Sequence, residues 1–542
     1  MRRSLATLAL VALACWPMRD AVLAGTVAGA GPDVASTLWA MWWFAEEWRG
    51  PAWGAKTVLV NFPDGAHGSV LSPITAAIWT ALRSPLGEAA AATWTSAIYL
   101  GAFAASVAWL ARETGLGRVA ALGAGALVLA QRYPVYAPGE TSIVGITALT
   151  VSVGLVATLK VARGAGWGWT AALAACVGLT GIEMPYLVPV LPVAVAFAAV
   201  KGRRGPLLAG LVAGGVLLAA LGALHGASQS AEFGLMTQPQ RVGFGKWRWI
   251  AVEAPWARST VTHLLTPGPV TWSLDAKASE AAQGRDYLGL SLVGLAGVAL
   301  VARPRTWPWV GLAVGGVVLA TGSDWFGLPG PFALLNAVCM RIVRGLTQPT
   351  RYLMLPAIGL SVAAAHGVEA LWERRRALGI AAAAALAVDA FAFGGLSLRL
   401  PAMRLPMPDC AVALRGQEPD AGVLVWPWDG SRSPEGTVRR RLLQIAHGHP
   451  GALFGVGSWK MLGETPMGKR LEDLGWRDAT DLRRPMDPAP LHALGYRWVV
   501  ADAFAGDALM DMARRSFGEP VATCEGATVH RIAPRRSATS GP

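Results

Sequence analysis

The chain has 542 residues, 53% of them hydrophobic and only 15% charged, with a mean hydropathy of +0.42 and a formal net charge of +13. So little charge over this length excludes one large soluble core and points to a chain solvated by lipid. The basic excess is not a nucleic-acid footprint, because Lys and Arg gather at the ends of apolar runs, where they set topology against membrane lipids.

A spanning helix needs about 20 apolar residues. Candidate spans lie at 5–25, 92–111, 118–131, 142–160, 167–182, 185–200, 206–224, 287–302, 307–322, 351–372 and 377–396. The first is interrupted by Arg19-Asp20, adjacent opposite charges expected to neutralise each other. With Met1 inside, fourteen basic residues fall in 32 inner positions, against five in 85 positions of the shorter outer loops. The positive-inside rule then places the N-terminus in the cytoplasm, and an odd number of crossings puts the C-terminus outside. A rival reading of the start is a signal peptide ending near Cys15; it also leaves 26–68 outside.

Three regions are expected at the outer face. The loop 26–91 is rich in Trp, and Val34–Trp48 and Ser72–Leu82 read as amphipathic helices lying along the membrane surface. The region 225–286 is polar and irregular, and 323–350 reads as a shorter loop containing Cys339. From 397 the composition changes. Val423–Pro427 reads as a buried strand, Thr437–Ala446 as a helix, Leu491–Leu494 and Tyr496–Ala501 as helix then strand, Phe504–Phe517 as a helix and Ala527–Ile532 as a last strand. The expected fold is therefore mostly α: a polytopic helical bundle of about eleven crossings, residues 1–396, followed by a small α/β domain over 397–542. Cys410 and Cys524 both fall in that domain and can pair if it lies in an oxidising compartment.

Ionisable residues at the outer membrane face are where chemistry is sought, since they are expensive there. Asp33, a few residues past the first span, has two readings: a general base for an acceptor hydroxyl, or a helix N-cap before Val-Ala-Ser-Thr. Asp64 and His67 sit in Asn61-Phe-Pro-Asp64-Gly65-Ala-His67, a turn signature that could also line a site. Glu140 and Glu183 stand where the chain re-enters the membrane, each either capping a helix or serving proton or metal work. Arg344 and Arg351 form a basic group at the outer end of a late span, suited to clamping a lipid-linked phosphate or to snorkelling. His447-Gly-His449 lacks a third ligand at metal spacing. No phosphate-gripping Gly loop, nucleotide fold or serine triad is legible, so a transferase working outside would use a lipid-carried donor.

In layout and local phrases the chain resembles the bacterial GT-C-type integral membrane glycosyltransferases, which use polyprenyl-phosphate sugars. The phrases are Asp33 after one crossing, Leu38-Trp39-Ala-Met-Trp42-Trp43, Asn61-Phe-Pro-Asp64-Gly65 with Leu71-Ser72-Pro73, Gln348-Pro349-Thr350-Arg351-Tyr352, Gln444-Ile-Ala-His447-Gly448 and Leu494-Gly-Tyr-Arg-Trp-Val-Val500. Two positions depart from the pattern: Glu140 stands where relatives often have His, and Thr347 where they often have Arg. The resemblance implies an inverting transfer to a glycan, lipid or protein acceptor on the extracytoplasmic face of the bacterial inner membrane. Asp33 would be the base, with Glu140 assisting or binding a divalent cation (Mg or Mn), and Arg344 or Arg351 bearing the leaving phosphate. Asp64, His67 and Glu183 are the further substrate-side candidates. The alternative is a non-catalytic transporter or scaffold of envelope assembly, which should show repeated halves and charges near mid-membrane.

Overall fold

The structure is a computed structural model that describes residues 2–29, 32–47, 56–57, 66–67, 73–140, 144–183, 187–200, 202–230, 241–244, 247–250, 259–268, 285–322, 324–325, 328–339, 349–426, 434–451 and 485–533. In chain order the helices are α1 Arg2–Cys15, α2 Arg19–Ala24, α3 Pro32–Glu47, α4 Pro73–Leu86, α5 Glu88–Glu113, α6 Arg118–Ala130, α7 Arg132–Glu140, α8 Val144–Ala162, α9 Trp167–Glu183, α10 Val190–Ala199 and α11 Arg204–Ser230. There follow α12 Val261–Leu265, α13 Leu290–Ala302, α14 Trp307–Ala320, α15 Pro331–Cys339, α16 Met354–Arg374, α17 Arg376–Ala392, α18 Asp409–Val412, α19 Pro434–His447, α20 Ala489–Ala493 and α21 Asp507–Phe517. Every apolar segment predicted from the sequence carries a helix. Three helical segments, Leu5–Ala24, Glu88–Glu113 and Pro349–Arg374, are long and apolar enough to cross a membrane by length and composition.

The chain divides into two units, each cohesive in itself: 1–30, 72–223 and 238–403 form one, and 31–71, 224–237 and 404–542 the other. In the bundle unit α5 and α16 are the two pillars. The first packs against α1, α4, α6 and α8; the second against α6, α13, α14 and α17. Small residues allow this, because Ala and Gly let helix backbones approach. A Cβ on Gly367 of α16 would collide with the carbonyl oxygen of Leu295 in α13. Some polar groups inside the bundle are partnered along and across helices: Gln131 Nε2 donates to Ser361 Oγ (3.1 Å) and to the Ala357 carbonyl (3.3 Å), and Thr180 Oγ1 donates to Thr150 Oγ1 (2.8 Å).

Four local expectations are corrected. The first span is not one helix: Pro17 opens a short 3-10 turn at Trp16–Met18 between α1 and α2. Arg19 and Asp20 each take a hydrogen-bond partner other than the adjacent charge. Arg19 donates to the Trp16 carbonyl (2.8 Å), while Asp20 is held by both arms of Arg399, one at 2.9 Å. The segment 132–140, which separates the candidate spans 118–131 and 142–160, is itself the helix α7. The segment 323–350 contains a short hairpin, Asp324–Trp325 with Leu328–Pro329, and then α15, which ends on Cys339.

The tail unit holds a four-stranded sheet made of Gly422–Trp426 (β9), Tyr496–Asp502 (β10), Ala522–Cys524 (β11) and Ala527–Arg531 (β12), in the order β11-β12-β10-β9, numbered after the two- and four-residue strands that precede them in the chain. β9 and β10 run parallel and the rest antiparallel. The strand and helix positions expected from the sequence reappear here within a few residues. On one face α21, through Met512, Ala513 and Phe517, packs with Leu424, Trp426 and Val499; on the other α18 and α19 pack with Val423, Val425 and Val500. Trp426 donates its indole N–H to the Leu509 carbonyl (3.1 Å). Cys410 and Cys524 are disulfide-bonded, joining α18 to β11 across 114 residues. The helix α3 belongs to this unit and packs against α19. It is not the amphipathic surface helix expected. Its Trp39, Trp42, Trp43 and Phe44 are all buried, so both faces are covered.

Candidate functional site

The residues predicted to do chemistry divide between the two units. Asp33, Asp64 and His67 fall in the tail unit; Glu140, Glu183, Arg344 and Arg351 fall in the bundle unit. Asp64 and Arg344 lie outside the described residues.

In the tail unit α3 opens with Pro32, whose fixed φ suits the first helical position, so Asp33 is the second residue of the helix and not its cap. His67 lies on a two-residue strand, Ala66–His67, paired antiparallel with Lys56–Thr57 through the register Lys56↔His67. Farther along α3, Trp39 donates its indole N–H to Gln444 Oε1 on α19 at 2.9 Å, with both side chains buried. The end of α19 is closed by Arg415, which donates to the carbonyls of Ile445 (2.5 Å) and Ala446 (2.8 Å). His447 and His449, weighed as metal ligands, are instead buried within the domain. His449 Nε2 bonds the Leu414 carbonyl (2.7 Å), and His447 Nδ1 accepts the backbone N–H of His449 (3.1 Å). Burial, and after it the neighbouring His449 and Arg415, hold His447 well below the usual histidine range, so it is neutral.

In the bundle unit Glu140 is the last residue of α7 and Glu183 the last of α9. Arg351 lies in a 3-10 turn, Pro349–Leu353, that leads into α16; it is half-buried between the buried Thr350 and Tyr352. Tyr352 meets the Phe332 ring edge-on at 6.0 Å. α7 packs against both α8 and α16, the helix that the turn bearing Arg351 leads into.

The beginning of α7 anchors a polar network that sequence reading passed over. Arg132 donates from Nε to the Phe393 carbonyl (2.6 Å) and from Nη1 to the Gly268 carbonyl (2.5 Å), with its guanidinium 5.8 Å from the Tyr287 ring centre. Tyr287 Oη donates to Asp389 Oδ1 (2.8 Å), and the Ser291 N–H donates to the other carboxylate oxygen (2.9 Å). Next to Tyr287, Arg285 and Asp286 form an ion pair at 2.7 Å with side chains 3% and 0% exposed, and Ser259 Oγ donates to Asp286 at 2.8 Å. The Arg285 guanidinium also faces the Tyr136 ring of α7 at 6.0 Å. One signal was legible: Asp389 is an isolated acid in the apolar run of α17. The pairing Arg285-Asp286 had none, because it lies inside a long polar segment.

Among the described residues no three His, Cys, Asp or Glu side chains converge as metal ligands. The side chains of Asp33 and Glu140 lie outside those described, and the reaction below is derived without a cation. No protein-family profile and no curated protein sequence matches this chain. Solved structures do. The cryo-EM structure of arabinofuranosyltransferase AftD from Mycobacteria superimposes with a TM-score of 0.55 at 15% identity, over 98% of this chain and 40% of AftD. The crystal structure of ArnT from Cupriavidus metallidurans, bound to undecaprenyl phosphate, superimposes with a TM-score of 0.50 at 14% identity over 99% of both chains. The fold is thus that of the GT-C-type membrane glycosyltransferases, as the sequence phrases implied. This chain spans about two fifths of the length of AftD and the full length of ArnT.

Proposed function

We propose that the protein is a glycosyltransferase that moves a sugar from a polyprenyl-phosphate donor to an acceptor hydroxyl on the extracytoplasmic face of the membrane, with inversion. The observation that carries this reading is the end-to-end likeness to ArnT, whose structure holds undecaprenyl phosphate. Asp33, in the first turn of the helix that follows the first crossing, is the base. The acceptor oxygen attacks the anomeric carbon and its proton passes to the Asp33 carboxylate, while the bond from that carbon to the phosphate oxygen breaks. Polyprenyl phosphate leaves carrying one more negative charge than the phosphodiester had, and Arg351 and Arg344 offset it. Glu140 assists on the donor side, and Asp64, His67 and Glu183 contribute substrate contacts. The tail unit covers the acceptor side. The Cys410–Cys524 disulfide supports an extracytoplasmic tail, since such bonds persist in oxidising compartments. The flanking charges support a cytoplasmic N-terminus and insertion in a bacterial inner membrane.

The test is sugar transfer by the purified protein in liposomes supplied with polyprenyl-phosphate sugars. Asp33→Asn should lower kcat by about 10²- to 10⁴-fold, the usual contribution of a general base, with expression and thermal unfolding unchanged. Wild-type transfer by that variant would remove Asp33 from the mechanism. Transport of a lipid-linked sugar without any transfer would favour the non-catalytic alternative.

A further inference from the structure

Asp33 is carried by a helix that belongs to the tail unit. That raises the question of what fixes the helix along its axis. Apolar packing of Trp42, Trp43 and Phe44 holds it laterally, but dispersion is not directional. A directional contact is the bond from Trp39 Nε1 to Gln444 Oε1, 2.9 Å long, between side chains 2% and 1% exposed. It joins two elements 405 residues apart in sequence. The acceptor end is itself locked. Gln444 Nε2 donates to the His449 carbonyl (3.3 Å), which settles the amide orientation and leaves Oε1 facing Trp39. A Cβ on Gly451 would come within 3.3 Å of that same Nε2, so there is no room for the amide to move that way. His449 is pinned in turn by its bond to Leu414, and the last turn of α19 by Arg415.

We propose that Gln444 is a positioning residue for Asp33: through Trp39 it sets the placement of α3, so the tail domain aims the base. This rests on the reading of Asp33 as the base. Asp33 lies six residues before Trp39, about 9 Å along a rigid helix, so a shift at Trp39 is transmitted to the carboxylate. A misplacement of about 1 Å can lower a rate about 10²-fold. The donor-phosphate arginines lie in the other unit, so the effect should fall on the chemical step and not on donor affinity.

The experiment uses the full-length protein in liposomes with a polyprenyl-phosphate sugar. Gln444→Met, equal in length but without the acceptor, should lower kcat roughly 10- to 100-fold, with KM for the donor within about twofold. Gln444→Glu, which keeps an acceptor for Trp39 but loses the donor to the His449 carbonyl, should recover only part of the loss. Trp39→Phe should match Gln444→Met, and the double variant should be no worse than either, as for two ends of one contact. Gly451→Ala, which crowds the amide without removing it, should give a smaller drop of the same kind. Unchanged thermal unfolding and an intact disulfide on a non-reducing gel exclude simple misfolding. Wild-type kcat in Gln444→Met alongside an inactive Asp33→Asn would overturn the positioning role and leave the base in place. An active Asp33→Asn would overturn both. A rise in donor KM with kcat unchanged would also overturn the proposal.

Discussion

The two units are built on opposite principles. The bundle coheres by contacts between helices that each announce themselves in a local apolar run, and its small residues let those helices meet backbone to backbone, as at Gly367. The tail unit coheres by contacts that no local stretch announces: a disulfide across 114 residues, a sheet mixing parallel and antiparallel pairs, and a helix borrowed from residues 32–47. The bundle accordingly holds its few buried charges in close pairs, as at Arg285 and Asp286. The tail uses buried polar pairs as its fasteners. A unit held by many small apolar contacts should resist single changes, and one held by a few directional links should not, except where the bundle too depends on one pair.

That exception gives the largest expected effect. Asp286→Ala leaves Arg285 buried without its carboxylate and should destabilise the bundle by about 3–5 kcal/mol. The check is thermal unfolding of the detergent-solubilised protein together with limited proteolysis. Cleavage should rise in the bundle while the tail fragments stay protected; equal loss of protection in both would end the claim that the units cohere separately. Next is Cys524→Ser, expected to lower tail stability by about 3 kcal/mol through loss of a long cross-link. Reductant should reproduce it in the wild type and leave the variant unaffected, and a tail transition indifferent to reductant would refute it. A smaller loss, about 2 kcal/mol, is expected for Asp502→Asn. Asp502 receives two bonds from Arg439 (2.8 and 2.9 Å) and caps the Phe504 N–H. The melting temperature of the tail transition reads it.

The smallest effect is graded by pH. Neutral His447 is held below its unfolded pKa of about 6.5, so the unfolded chain binds the proton first as pH falls. Its contribution to stability is full above about pH 6.5 and is lost progressively below it, with a slope of at most about 1.4 kcal/mol per pH unit. The tail melting temperature should therefore fall between about pH 6.5 and 5 in the wild type and fall less steeply in His447→Asn. Parallel slopes would show that other groups govern the acid limb.

The same contrast explains what could be read in advance. Apolar periodicity and flanking charge located the long apolar helices of the bundle, because each segment's environment is written in its own composition, but not α7 or α15. They failed where a proline or a distant partner intervened. Pro17 broke the first span, and Asp20 ignored its neighbour Arg19 for Arg399, 379 residues away. In the tail, single strands were legible from Val-rich runs, but their order was not. The burial of α3 was misread because indoles on both faces of a helix fit a membrane surface and a protein core equally well. For the site, position in the chain suggested Asp33 and Arg351. The network of Arg132, Tyr287 and Asp389 joins three segments through side-chain oxygens and carbonyls, which leave no pattern in any one of them.

The indole bond between α3 and α19 also has a consequence in time. Trp39 is made early and its acceptor 405 residues later. At roughly 5–20 residues per second, synthesis takes about 20–80 s to supply Gln444. Throughout that interval the growing chain carries a Trp-rich helix with its burial partner missing. Something must shelter it, whether the lipid interface or a chaperone, and α3 is fully fastened only once residue 444 has been made.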